Sequence, residues 1–226
     1  EKFVPAAAGV SGREIVICPP FVDLAAAVEA TEGSRVEIGG QNLYWKKEGA
    51  FTGEISGPML AAAGAKWVII GHSERRQYFG ETDETVYQRT VAALEAGLKP
   101  IVCVGERLEE REGGRTEQVL GTQFNDGIGK LTPEQFAKIV IAYEPVWAIG
   151  TGKTATPEIA EAAHKFLRGQ AEAKYGKDAA AAVRILYGGS VKPENTKALM
   201  SEEDIDGTLV GGASLDPDSF AKIAGF

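Results

Sequence analysis

Short apolar runs alternate with amphipathic stretches along this chain. The runs Glu14 to Cys18, Val36 to Gly39, Trp67 to Ile70, Lys99 to Val104, Ile139 to Tyr143, Val183 to Tyr187 and Gly207 to Val210 predict seven β-strands. Several are apolar at consecutive positions, the pattern of a parallel sheet covered by helices on both faces. Helix starts of one type fall between the strands. Thr132-Pro133-Glu134, Thr156-Pro157-Glu158 and Asp216-Pro217-Asp218 each offer a capping oxygen, a proline at the first helical position and an acid near the positive helix end. Ser56-Gly57-Pro58 and Lys192-Pro193-Glu194 are looser versions. Long helices are predicted near Asp83 to Ala96, Thr116 to Gly129 and Pro157 to Tyr175. Alternating strands and helices mean an α/β fold with a parallel sheet. Seven strands exceed a small open sheet and fall one short of the eight that close a barrel.

The fifth strand carries the clearest chemistry. Ile139, Val140 and Ile141 lead into Tyr143-Glu144-Pro145-Val146-Trp147-Ala148-Ile149-Gly150-Thr151-Gly152, which places one carboxylate where a barrel strand meets its ligand-binding edge. Pro145 stiffens the start of the following loop and Gly150 with Gly152 loosens its end. Trp147 and Ile149 give the flap an apolar underside that excludes water. Glu144 reads as a base beneath a lid, and the same pattern also fits a buried acid before an ordinary loop.

A second strand ends in Gly71-His72-Ser73-Glu74-Arg75-Arg76. A helical turn starting just after Ser73 would aim free backbone N–H groups at the imidazole and disfavour its cation, leaving His72 a neutral hydrogen-bond donor. A structural histidine capping the strand is the alternative. Glu74, Arg75 and Arg76 read as an ion-pair network that holds loops. His164 lies in a mixed helical pattern and is expected on a solvated face. With only two histidines and no dense acid cluster, no metal site is expected.

Leu186-Tyr187-Gly188-Gly189-Ser190 and Leu209-Val210-Gly211-Gly212-Ala213-Ser214 each end an apolar run in paired glycines, letting backbone N–H groups approach an anion. Two such turns after the last two strands suggest a phosphate cradle, with Gly150 as a third donor.

Composition adds bounds. The 226 residues contain no linker-like tract and read as a single domain over 1–226. A net charge of -8 argues against nucleic-acid binding, and no apolar run nears the roughly 18 residues a membrane span needs. The two cysteines, Cys18 and Cys103, sit in strand-like runs and are expected as buried thiols in a reducing compartment. Glu1 to Gly12 does not read as a secretion signal, so a soluble, cytoplasmic protein is expected.

These segments, together with Gln41-Asn42 and Gly49-Ala50-Phe51-Thr52-Gly53-Glu54, resemble in order and spacing the motifs of the triosephosphate isomerase family over essentially the whole chain. The resemblance implies a TIM (β/α)8-type barrel, no cofactor, and interconversion of dihydroxyacetone phosphate with D-glyceraldehyde 3-phosphate in glycolysis and gluconeogenesis. By position it implies Glu144 as the base and His72 as the electrophile. The lid would be Pro145, Val146, Trp147, Ala148, Ile149, Gly150, Thr151, Gly152, Lys153 and Thr154. Gly150, Ser190, Gly211 and Gly212 would bind phosphate. Asn42 would support the site near a dimer contact, and Glu74 would be a buried acid beside it.

One departure lies at the front. Family members begin with a strand ending in an Asn-x-Lys motif whose lysine enters the site, and Glu1 to Gly12 instead resembles the tail of the first helix. The expectation is a barrel missing its first β/α unit: seven parallel strands, gapped, with the gap narrowed or covered by another protomer. Losing one preorganised contact to a developing anion costs roughly 3 to 4 kcal/mol, so weak or lost activity is expected. The alternatives are a catalytically inactive phosphate-binding or assembly protein on the same scaffold, and a chain completed by an N-terminal segment. The loop around Phe51 and Thr52 usually meets the partner's first loop, so a homo-oligomer of non-standard geometry is expected.

Overall fold

The computed structural model describes residues 2–149 and 154–226. Seven strands form one parallel sheet in chain order: β1 (Ile15–Ile17), β2 (Val36–Gly40), β3 (Trp67–Ile70), β4 (Lys99–Val104), β5 (Val140–Tyr143), β6 (Ile185–Tyr187) and β7 (Gly207–Thr208). Every predicted strand is present; β1, β5, β6 and β7 are each one or two residues shorter than predicted, and β2 runs one residue further. Each pairs in parallel with its sequence neighbours, the usual outcome when consecutive strands are joined through helices.

The period of two explains the apolar runs. Trp67, Ile101, Cys103, Val140 and Ala142 form one buried cluster, joined by Val16, Ile69, Leu186 and Leu209. The residues between them, Val68, Ile70, Val102, Val104, Ile141, Tyr143, Ile185 and Tyr187, belong to a second cluster shared with the helices. The first set fills the concave inside of the curled sheet, and the second packs beneath the helical layer. Continuing this alternation past Tyr143 turns Glu144 inward.

Helix starts follow the capping logic. Thr132, Thr156 and Asp216 each accept a backbone N–H through the side chain, and each is followed by proline at the helix start. The longest helix is Pro157–Tyr175, as predicted, and Asp83–Glu95 closely matches its prediction. The helix predicted over Thr116 to Gly129 divides instead. It is α-helical over Thr116–Gln123 and then widens into a π-helical turn over Phe124–Ile128. That turn buries Phe124 and Ile128, four positions apart as on an ordinary α-helical face, so the apolar pattern does not distinguish the widened turn from a continuing α-helix.

β1 and β7 are the sheet's two edges, with no ladder between them among the described residues, so the sheet is a curled, open barrel. The helical layer spans the opening. The helix Phe3–Ala7 packs against the helix Pro217–Ala224, where the rings of Phe3 and Phe220 stack at 4.7 Å, and this contact continues into Ile15 and Val36 of the first two strands. At the N-terminal ends of the strands, Glu14 pairs with Arg184 and, at 3.4 Å, with Lys99. The edge strand β1 is thereby tied across the sheet to the starts of β6 and β4.

Candidate active site

Three consecutive strands end against one another at the C-terminal side of the sheet. The Glu144 N–H donates to Val104 O at 2.8 Å and the Gly188 N–H to Tyr143 O at 2.7 Å. The neighbours on both sides must be glycine. A Cβ on Gly105 would stand 1.7 Å from the Glu144 carbonyl oxygen, and one on Gly188 would stand 2.9 Å from Glu144 Cγ. Glu144 therefore sits in a slot shaped by two strand-end glycines, and its side chain is almost wholly buried.

A buried carboxylate needs compensation. Here it comes from the segment after β3. The Ser73 N–H donates to Glu144 Oε2 at 2.9 Å, Ser73 Oγ donates to Oε1 at 3.1 Å, and His72 Nε2 lies 2.9 Å from Oε1. Ser73 opens the helix Ser73–Tyr78, so the carboxylate also meets the positive end of that helix. The structure thus brings the two principal sequence candidates into direct contact.

His72 caps the same helix, and its Nδ1 accepts the Glu74 N–H at 3.4 Å. With Nδ1 an acceptor, the proton of the neutral ring lies on Nε2, facing Glu144. This is the arrangement expected of a neutral donor, but the electrostatics run the other way. Burial disfavours the imidazolium, and the Glu144 hydrogen bond and charge, with Glu74 adding to them, outweigh it, so the His72 pKa lies above its ordinary value. The helix end alone does not set the charge state while the carboxylate is bonded to the ring.

Glu74 corrects an expectation. Its side chain is exposed and, among the described residues, pairs with His72 Nδ1 at 3.8 Å, so it is not a buried acid. It points outward because the short helix turns its second residue away from the sheet. Arg75 and Arg76 do form the expected network. Arg75 pairs with Glu81, and Arg76 joins Asp83 at 2.6 Å while donating to the carbonyls of Gly71 and Cys103. The ends of β3 and β4 and the helix Asp83–Glu95 are thereby held together.

His164 corrects another. It is fully buried, with Nδ1 at 3.2 Å from Asp204 O and its ring against Tyr143 and Tyr187. Burial lowers its pKa to about 4. The helix Pro157–Tyr175 buries Ala160, Ala163, His164, Leu167 and Ala171, a single stripe that includes the histidine.

Glu106, which the motifs did not single out, anchors the start of the loop after β5. Fully buried, its Oε1 accepts from Trp147 Nε1 at 2.9 Å and Tyr143 Oη at 3.1 Å, and lies 3.3 Å from Arg111 Nη1. Pro145 begins the loop, Val146–Ala148 forms a 3-10 turn, and Trp147 is buried, so the apolar underside expected of the flap is packed down. Ile149 follows the turn and Thr154 is exposed. Gly150, Thr151, Gly152 and Lys153 lie outside the described residues.

At the far strand ends, Ser190 is half-buried in the turn after β6, where its carbonyl accepts from Asn195 Nδ2 at 2.9 Å. Gly211 and Gly212 are exposed, and apart from their chain neighbours no described residue comes within 4 Å of a Cβ built on either. Asn42 is buried, with no hydrogen bond to Oδ1 among the described residues. Cys18 and Cys103 are both free, and burial drives both thiol pKa values upward, that of Cys18 to about 12. No group of acids, cysteines and histidines able to hold a metal occurs among the described residues.

The fold and this carboxylate–imidazole pair define a parallel α/β-barrel protein with an acid–base site at the C-terminal strand ends. Residues 1–226 match the family model described as triosephosphate isomerase, and the chain belongs to that family. It is 69% identical over 226 residues to the triosephosphate isomerase of Solibacter usitatus, covering 100% of this chain and 91% of that protein. It is 56% identical over 223 residues to that of Citrifermentans bemidjiense (99% and 89% covered) and 56% identical over 218 residues to that of Moorella thermoacetica (96% and 87% covered).

Proposed function

We propose that this chain interconverts dihydroxyacetone phosphate and D-glyceraldehyde 3-phosphate, a step of glycolysis and gluconeogenesis. Glu144 takes the proton from C1 of the ketone and returns it to C2, and the hydroxyl proton moves between the two oxygens through His72. The observation that carries this reading is the 2.9 Å contact between His72 Nε2 and Glu144 Oε1 in a slot where the carboxylate is buried. A base and a donor this close act on adjacent atoms of one small substrate. Substrate oxygens that take the His72 proton displace Glu144 from the ring, which frees the carboxylate to meet the carbon. The exposed glycine turn at Gly211 and Gly212, with Ser190 beside it, offers backbone donors for the phosphate, and Gly150 completes the set. Asn42 supports the site from the end of β2. No cofactor is called for.

Among the described residues no lysine pairs with Glu144 or His72. An enediolate met by no cation among the described residues is less stabilised, and weak or lost turnover is expected on that account. The same observation favours a second reading, a phosphate-binding or assembly protein on this scaffold. A coupled assay on this chain, with and without Glu144→Gln, separates the two. Turnover that needs Glu144 supports the isomerase, whereas binding of inorganic phosphate without turnover supports the second reading. Turnover at an efficiency ordinary for such enzymes sinks the claim of weakness.

The exposed Phe51, Tyr78, Phe79 and Met59 support association with a second copy of this chain. Sedimentation giving 23.9 kDa at micromolar concentration argues against it. A cytoplasmic location suits the two free thiols. Among the described residues no helix is long and apolar enough to cross a membrane.

A further inference from the structure

Ser73 and His72 hold the Glu144 side chain, but a different set of contacts holds its backbone. The Glu144 N–H bonds to Val104 O at 2.8 Å and the Val146 N–H to Glu106 O at 3.2 Å. Gly105 lies between these two bonds, pressed so closely on the Glu144 carbonyl that no side chain fits there. β4 has ended at Val104, and the backbone groups of Gly105 are met by one side chain. The Gly105 N–H donates to Gln123 Oε1 at 2.7 Å, and Gln123 Nε2 donates to Gly105 O at 3.1 Å. A side-chain amide takes the place of a neighbouring strand.

The position of Gln123 is itself built. It is the last residue of the helix Thr116–Gln123, where the backbone widens into the π-helical turn. Such turns gather at functional positions because the extra residue re-aims a side chain. Phe124 and Ile128 anchor the turn in the core, and Gln123, Gly105, Ser73 and Glu144 line one cavity of about 350 Å³.

We infer that Gln123 is a positioning residue for the base: by clamping Gly105 it fixes the Glu144 peptide, and so where the carboxylate meets Ser73 and His72. The inference rests on Glu144 as the base. Gln123→Met removes both hydrogen bonds at similar side-chain length, and Thr122→Ala, an exposed change on the same helix, is the control. The Ser73 amide, which donates to Glu144 Oε2, is the reporter. Its hydrogen exchange is expected to quicken about ten-fold or more in Gln123→Met relative to both wild type and control. Any turnover should fall about ten- to a hundred-fold in kcat with KM within about two-fold, since misplacing a base costs rate rather than binding.

Unchanged Ser73 exchange overturns the inference, as does equal quickening at the core amides of Val102 and Ile141, which would mark general destabilisation. If Gln123→Met does not fold, Gln123→Glu, which keeps an acceptor for the Gly105 N–H, replaces it, with a smaller acceleration confined to Ser73 expected and none overturning the inference. Should Glu144→Gln leave turnover intact, the base assignment fails while the Ser73 reading still decides the role of Gln123.

Discussion

His72 and Glu144 meet at 2.9 Å, and the carboxylate that accepts from the ring also holds the first N–H of the helix that His72 caps. The pair is coupled, and the raised pKa of His72 depends on it. Glu144→Gln removes the charge and leaves burial as the main influence on the ring. The His72 pKa is expected to fall, read from its imidazole carbon resonances across pH, and an unmoved midpoint would show the coupling to be wrong.

The same substitution should remove proton transfer. General-base catalysis contributes about a hundred- to ten-thousand-fold, so turnover in Glu144→Gln is expected to drop by at least that lower factor. His72→Gln keeps a donor near the substrate oxygen but cannot pass a proton on, and should lose less than Glu144→Gln. Initial rates from single-turnover mixing rank the two, and the reverse order would contradict Glu144 as base and His72 as donor.

His164 sets a pH dependence of stability with a definite sign. Its folded pKa is about 4, against an ordinary value near 6.5. Between these values the unfolded chain binds a proton that the folded chain refuses. Stability therefore falls as pH drops from about 6.5 to about 4, by roughly 3 kcal/mol, and no further on this account below that. His72 has the opposite sign: its raised folded pKa contributes stability that is present below about pH 6.5 and lost as pH rises through the folded value. Urea titrations at a series of pH values measure both, and His164→Gln should flatten the acidic slope.

Gly105→Ala tests the slot around Glu144. The added methyl would occupy the space of the Glu144 carbonyl oxygen, so the ends of β4 and β5 must separate. Destabilisation above about 4 kcal/mol, or failure to fold, is expected. Gly114→Ala, at an exposed loop with open space around it, should cost far less despite its positive φ. Thermal melts that rank the two alike would contradict the close packing.

Much of the fold was legible because its signals are local. Strand position follows from apolar runs, helix starts from capping residues, and the inward turn of Glu144 from counting alternate residues along β5. The pairing of Gln123 with Gly105 was not legible, since an amide eighteen positions away carries no periodic mark. The one available hint was a glycine directly after a strand, as at Gly71 and Gly188. Glu106 gave no signal in the motifs: the register that pairs Val104 with Tyr143 sets Gly105 beside Glu144 and leaves Glu106 one residue further along, on the opposite face.

By itself, then, the sequence determined seven parallel strands, the helices between them, and the placing of Glu144 and His72 at strand ends as the candidate chemistry, because backbone geometry and side-chain alternation are set over a few residues. Tertiary structure alone decided what those residues meet. It turned Glu74 outward and buried His164 between Tyr143 and Tyr187. It left β1 and β7 without a ladder to each other among the described residues, with the stacked rings of Phe3 and Phe220 in the helical layer there, and it raised the His72 pKa through Glu144. Each of these depends on desolvation and charge between groups distant in sequence, and those energies exist only once the chain has closed on itself.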